Sequence, residues 1–405
     1  MASSFPPPPV NTIDWSNVGF KVREVNGHVE STYSMSTGEW SPLRFVADPY
    51  MRLHGMSPAL NYGQQAYEGL KAFRLPDDTI SVFRPDRNAK RMQHSASVIC
   101  VPPVPEQLFL DAVRAAVALN AEYVPPHETG AAMYVRPQVY GSSAQLGLSA
   151  PEEYTFCVFV LPTGVYHGSE PARALVLDAF DRAAPNGVGS AKVGGNYAPV
   201  LRWSDAARKD GYGITLHLDS ARHEDIDEFS TSGFIGARVD PDGGGGGGAT
   251  TTLVVPDSKC VIDSVTSDSI LHIGRSWGWN VEKRPIKYGE LPSFTEVMAA
   301  GTAAALVPIR SITRRSVGGL PADAPNVTLS ADGKEETVTY ISAGQAGAGD
   351  IARKLLTHLQ AIQLGKVEDT FGWRAKVSEG DRKLAARAAS PNGTNGGTPT
   401  VDQME

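Results

Sequence analysis

Four runs of β-branched and aromatic residues set the main limit on how this chain can fold: YTFCVFVLP (154–162), ARALVLD (172–178), GITLHLD (213–219) and TTLVVPD (251–257). Gly, Pro or Asp bounds each of them, as expected of strands closed by turns. Stretches of helical period lie between and around these runs. In 105–120, Leu108, Val113, Ala116 and Val117 fall near one face. In 349–363, Ile351, Leu355, Leu359 and Ile362 do the same. Residues 198–209 and 268–277 are two more helix candidates. Interleaved signals of both periods predict an α/β or α+β protein.

A chain of 405 residues exceeds what one compact core serves, so two domains are expected. The cluster LPTGVYHGSEP (161–171), where Pro and Gly follow a strong strand, is the natural joint. The expected layout is a small α/β domain over 20–162, a linker over 163–171 and a large domain over 172–378. The proline-rich start (1–19) and the Ala, Ser, Gly, Asn and Thr-rich end (379–405) read as disordered. Six consecutive glycines occupy 243–248. A phosphate cradle needs spaced glycines followed by a helix, whereas this run sits between two strand-like segments, FIGARVD and TTLVVPD. A flexible hairpin tip is the better reading.

The formal net charge is −7, with both signs mixed along the chain and no basic block. Nucleic acid is therefore not an expected partner. Three scattered cysteines make no CxxC pair, and nine scattered histidines show no metal-ligand spacing. The start, MASSFPPPPV, lacks the apolar run of a signal peptide and the arginines of a mitochondrial presequence. No run of 18 apolar residues is present, so no membrane span is expected. Together these features point to a soluble cytoplasmic protein in a reducing compartment.

One segment stands out chemically. Residues 190–199 read SAKVGGNYAP, and no other charge occurs from Val188 to Leu201. An amine partly withdrawn from water favours its uncharged, nucleophilic form, which suits Schiff-base chemistry with an aldehyde. Gly194 and Gly195 would let backbone approach a flat ligand. The segment alone also fits an ordinary turn with an exposed lysine.

Other segments join it: LNYGQQAYEGLKAF (60–73), FRPDRNAKRMQHS (83–95), MYVRP (133–137), RAAPNG (182–187), EDIDEFSTSGF (224–234), AGTAAALVP (300–308) and EDTFGW (368–373). In this order, over about Val22 to Val377, the chain resembles the branched-chain aminotransferases, and the longer eukaryotic members more than the short bacterial ones. These are fold-type IV enzymes that use pyridoxal 5′-phosphate (PLP). The resemblance implies two α/β domains with PLP between them, and a homodimer. It implies that Lys192 holds the cofactor and serves as general base, that Glu228 faces the pyridine nitrogen and that Tyr197 meets the phenolic oxygen. It assigns Arg91, Val265, Thr266 and Thr302 to the phosphate, and Thr231 and Ile262 to the cofactor's surroundings. Val265 and Thr266 precede a predicted helix start, where free N–H groups and the dipole favour an anion. Tyr134 and Arg136 alternate on a strand and so share a face. In the family this tyrosine helps hold the α-carboxylate, completed by the N–H groups of Thr302 and Ala303, and the arginine meets a glutamate side chain. Tyr62, Tyr67 and Tyr166 match aromatic positions that wall the side-chain pocket; each also fits simple core packing.

Three departures from the family pattern stand out. Asp263-Ser264 replaces the usual proline-glycine before Val265-Thr266, which places a carboxylate near the phosphate. Gly233 replaces a common asparagine. The CxxC of some mammalian members is absent. The expected reaction is transfer of the amino group of Leu, Ile or Val to 2-oxoglutarate. Rival readings keep the fold and change the substrate (D-amino acids, amines, aminodeoxychorismate), serve secondary metabolism, or make the chain a catalytically inactive binding protein.

Overall fold

The computed structural model describes residues 5–165, 170–240 and 249–387. Among them lie six α-helices: α1 (Pro58–Tyr62), α2 (Pro85–Val98), α3 (Glu106–Leu119), α4 (Leu201–Lys209), α5 (Val265–Ser276) and α6 (Asp350–Gln363). The four runs read as strands become Glu153–Thr163, Ala172–Val176, Ile214–Leu218 and Thr250–Pro256.

The strands form two sheets, each of ten strands. The first is mostly antiparallel, and its centre is Leu70–Arg74, Ala132–Gly141 and Glu153–Thr163. In the second, Ala172–Val176 pairs parallel with Ile214–Leu218 and with Ala305–Arg314, while Gly233–Asp240 pairs antiparallel with Thr250–Pro256 and Glu296–Gly301. This is the mixed architecture that the interleaved periods predict. The six-glycine run lies outside the described residues; the strands flanking it pair up to Asp240 and Thr250.

Alternation along the first sheet decides what faces the second. Leu70, Ala72, Met133, Val135 and Val139 point to a core shared with α2 and α3, including Met92, Ala96, Phe109, Val113 and Val117. The intervening residues Lys71, Tyr134 and Arg136 therefore share the opposite face. Lys71 and Tyr134 are direct cross-strand partners. Phe73 on that same face joins a second core with α5 and α6, through Ile270, Ile273, Leu355 and Leu359. That core packs the two sheets together, and the space beside it holds the site.

Two boundaries differ from expectation. Residues 5–18, expected to be disordered, lie along the first sheet. Val10 N–H donates to the Glu122 carbonyl at 2.9 Å, and Arg74 donates to the Pro7 carbonyl at 3.0 Å. At the other end, Arg374–Val377 pairs with Ile80–Phe83, and Ala386–Arg387 pairs with Arg44–Val46. The end of the expected large domain thus returns to the first sheet, and residues 379–387 continue as a 3-10 turn and a short strand. Composition suggested disorder at both ends because it does not register backbone hydrogen bonds to distant strands. No helix among the described residues is long and apolar enough to cross a membrane.

Candidate active site

The Lys192 segment is fixed from both sides. Its N–H donates to Ser95 Oγ of α2 at 2.8 Å, and its carbonyl accepts from Tyr67 N–H at 3.0 Å. Ala191 and Val193 are buried, and Val193 forms an isolated bridge with Ala66. With its neighbours held in the core, the side chain of Lys192 is directed into the pocket. A 3-10 turn at Gly194–Asn196 then brings Tyr197 back, and Lys192 Nζ lies 2.9 Å from Tyr197 Oη. The Tyr67 ring stands edge-on to Tyr197 at 5.3 Å, with Lys192 Nζ 4.7 Å from its centre. Burial and the neighbouring Tyr197 raise the Tyr67 phenol, so it stays protonated. Gly194 itself sits against the Gln65 side chain.

Glu228 comes from the strand Ile226–Phe229, and Ile262 N–H donates to its Oε1 at 3.2 Å. Arg182, from the RAAPNG segment, pairs with it at 2.5 Å, and both side chains are buried. Burial pushes the Glu228 carboxyl up to about 7, against the pull of Arg182 and Ile262. Arg182 also donates to the carbonyl of Cys260 at 2.6 Å.

Arg91 projects from α2 and is held by Glu68 in a two-pronged pair, Nε to Oε1 and Nη2 to Oε2, each 2.7 Å. Asn88 donates to the same carboxylate at 2.7 Å. Nη1 reaches the Asp263 carbonyl at 2.8 Å. Three of the five guanidinium N–H groups are so engaged, leaving two for a ligand. Beside Arg91, Val265 and Thr266 open α5, where the first N–H groups have no partner within the helix. The Asp263 carboxylate is mostly exposed and pairs outward with Arg87 at 2.8 Å, so its charge is turned away and compensated.

One pocket is lined by Lys192, Tyr197, Glu228, Arg91, Thr231, Ile262, Val265, Thr266 and Thr302. These are the nine residues that the resemblance assigns to the cofactor. Their polar groups suit PLP chemically: an amine beside a phenol, a buried carboxylate that accepts, and a guanidinium with helix N–H groups that donate. A phosphorylated pyridine aldehyde fits that set.

The substrate residues divide. Tyr134 and Arg136 meet at 3.0 Å, Nη2 to Oη, and Arg136 also lies 5.0 Å from the Tyr67 ring. A Cβ at position 69 would run into the Tyr134 hydroxyl, so Gly69 lets that side chain lie flat against the strand. Thr302 Oγ1 donates to the Gly69 carbonyl at 3.3 Å, and Ala303 lies beside Thr302 on the turn after Glu296–Gly301. Tyr62 departs from expectation. It sits on α1, half exposed, donates to the Leu146 carbonyl and lines a separate groove with Ile99, Cys100 and Leu148. It does not line the Lys192 pocket of its own chain. Tyr166 lies outside the described residues.

Three participants had no assigned role in the sequence: Glu68, Arg182 and Lys71. Lys71 donates to the Ala303 carbonyl at 2.7 Å, and burial lowers its ammonium to about 8. All three sit in motifs quoted above, YEGLK and RAAPNG, so the signal was position within a motif. Their partners are distant in sequence, which no local pattern reveals.

Residues 65–312 match the model of the amino-transferase class IV family. The aminotransferase poxL of Penicillium oxalicum is 52% identical over 375 residues, covering 93% of this chain and 96% of the relative. The branched-chain amino acid aminotransferase gloG of Glarea lozoyensis is 47% identical over 382 residues, covering 94% of this chain and 100% of the relative. Among solved structures, the branched-chain aminotransferase of Escherichia coli superposes with a TM-score of 0.66 at 21% identity, covering 88% of this chain and 100% of that one. That of Thermoproteus uzoniensis gives 0.65 at 22% identity, covering 86% and 99%. The fold-type IV architecture, the match to the family model and the fungal relatives agree: the chain belongs to the class IV aminotransferases, whose cofactor is pyridoxal 5′-phosphate.

Proposed function

We propose that this protein transfers the amino group of branched-chain L-amino acids to 2-oxoglutarate. The observation that carries the reading is that the Tyr134–Arg136 pair and the Lys192–Tyr197 pair both reach the Tyr67 ring, with Arg136 5.0 Å and Lys192 Nζ 4.7 Å from its centre. Carboxylate-seeking groups beside a base suit an amino-acid substrate. The 47% identity to a protein named as a branched-chain aminotransferase supports the same substrate class.

When bound, the cofactor supplies an electron sink for the negative charge that develops at the substrate Cα. The chain's own groups do the rest. Lys192 Nζ would hold the cofactor and is the amine placed to accept a proton from the substrate Cα. Tyr197 Oη orients that amine. Glu228, kept partly ionised by Arg182, would favour a protonated pyridine nitrogen. Arg91 and the first N–H groups of α5 would hold the phosphate, with Thr231 and Ile262 also lining the pocket. Tyr134, ordered by Arg136, meets the α-carboxylate together with the Thr302–Ala303 turn. Arg136 also accepts the side-chain carboxylate of glutamate, so one pocket serves both substrates. The aliphatic side chain would lie against Tyr67.

The protein is further proposed to be a cytoplasmic homodimer in which Tyr62 reaches the partner's site. Leu60, Tyr62, Leu146 and Leu148 form an exposed apolar patch around Tyr62, consistent with a covered face. Sedimentation at micromolar concentration should give twice the chain mass.

The activity test is product analysis with a panel of donors. L-leucine, L-isoleucine and L-valine with 2-oxoglutarate should yield glutamate and the matching 2-oxo acids. Activity confined to D-alanine, to an (R)-arylalkylamine or to aminodeoxychorismate would keep the fold and overturn the substrate. A second reading, an unusual aliphatic amino acid of secondary metabolism, is favoured by the departures at Asp263, Ser264 and Gly233. Under it, L-leucine turns over slowly and a longer or modified aliphatic donor turns over faster.

A further inference from the structure

Two departures from the family pattern meet in space. Gly233 opens the strand Gly233–Asp240 just after the Glu228 strand and its turn. Its φ is not in the left-handed region, so the backbone there accepts any residue. Space does not. A Cβ at 233 would come 2.7 Å from Ser267 Oγ and 3.4 Å from Ser264 Cβ. Both serines belong to the start of α5. Ser264 is its N-cap, with extended backbone angles, and its hydroxyl accepts from Ser267 N–H at 3.1 Å. Ser267 Oγ is buried and has no hydrogen-bond partner among the described residues, which a polar atom normally avoids. It occupies the room that a side chain at 233 would take. Between these two serines lie Val265 and Thr266, which line the cofactor pocket.

We infer that Ser264 and the bare Gly233 together position the phosphate end of the cofactor, with Ser267 only filling the gap between them. Ser264 fixes the first turn of α5 from the cap, and the empty side of Gly233 lets that turn sit against the strand with Ser267 between them. The N–H groups of Val265 and Thr266 are thereby aimed at the pocket. Losing the cap frees the turn, and adding a side chain at 233 displaces it. None of the three needs to touch the cofactor to set its affinity.

The test measures dissociation constants of the apoprotein for PLP and for pyridoxal, which lacks the phosphate. Ser264→Ala should weaken PLP roughly fivefold, the worth of an N-cap, and Ser264→Asn, a capping residue, should restore it. Gly233→Asn should weaken PLP roughly tenfold through overpacking. Ser267→Ala alone should leave it within about twofold, because the lost hydroxyl has no partner. In the double variant Gly233→Asn/Ser267→Ala, affinity should return to within roughly threefold of wild type, since the obstructing atom is gone. Pyridoxal affinity should stay constant throughout. The inference is overturned if pyridoxal weakens in parallel, if the double variant is as weak as Gly233→Asn, or if Ser264→Ala binds PLP like wild type. Should Gly233→Asn not fold, the Ser264 pair decides alone. Because no substrate enters the assay, the result is independent of the branched-chain reading.

Discussion

Two buried arginine–glutamate pairs bracket the pocket, and they are built differently. At the phosphate end, Glu68 meets Arg91 with both oxygens and takes a further bond from Asn88. At the ring end, Glu228 has one close contact with Arg182 and one longer N–H from Ile262, and its carboxyl rises to about 7. A saturated carboxylate anchors its arginine and leaves the spare N–H groups facing the pocket. An under-bonded one stays close to titrating at neutral pH, so a protonated pyridine can compete for it. The same residue pair thus makes a fixed support in one place and a responsive acid in the other. Both pairs are buried and use the same residue types; what differs is the number of hydrogen bonds at the carboxylate.

The contrast can be broken one side at a time. Lys192→Ala removes the group that both ends serve; activity with L-leucine and 2-oxoglutarate should fall by roughly four orders of magnitude or more, measured as glutamate formed. Glu228→Gln should cost roughly a hundredfold in kcat, because the ring nitrogen loses its anion. Its urea midpoint should fall less than that of Glu68→Gln, since Arg182 loses one close contact and keeps the Cys260 carbonyl. Glu68→Gln should show the reverse balance. Leaving Arg91 without its carboxylate costs about 3–5 kcal/mol, read as a lowered urea midpoint. Equal effects of the two variants on stability would erase the distinction between the pairs.

A smaller effect belongs to Lys71. Its ammonium has a carbonyl partner and, among the described residues, no carboxylate, and it steadies the turn that carries Thr302 and Ala303. Lys71→Met should raise KM for L-leucine roughly tenfold with a lesser change in kcat. A pH effect belongs to His217, which is buried beside Ser230 with Nε2 2.8 Å from its Oγ and is held down to about 3 by burial and Arg182. The unfolded chain protonates this histidine near 6.5, so its contribution is full above that pH and is lost as pH falls towards 3. Stability from this one residue should decline by up to about 1.4 kcal/mol per pH unit across that window. His217→Gln should make the acid side of the urea-midpoint profile shallower by that amount.

How much of this was legible beforehand follows from where each partner lies. The strands at 154–162 and 251–257 and the helix at 349–363 were readable because their periodicity is local. Lys192 and Tyr197 were readable because five residues separate them. Glu68 was not, although it stands in a quoted motif: its partner Arg91 lies 23 residues on, and only packing of α2 onto the sheet joins them. The carboxylate of Asp263 looked harmful to a phosphate until Arg87 of α2, 176 residues earlier, was seen to turn it outward. Gly233 looked like a simple loss until Ser267 was found in its space. The proline-rich start looked disordered because the acceptors and donors that hold it, near Glu122 and Arg74, are remote.

The most direct measurement is a half-reaction. Purified protein loaded with PLP is mixed with L-leucine in the absence of any acceptor, and the visible absorbance of the bound cofactor is followed. Loss of the band with L-leucine, its return on adding 2-oxoglutarate, and no change with D-alanine or an (R)-arylalkylamine are the predicted results. A band that ignores L-leucine and responds to either alternative would contradict the branched-chain reading while leaving the family intact.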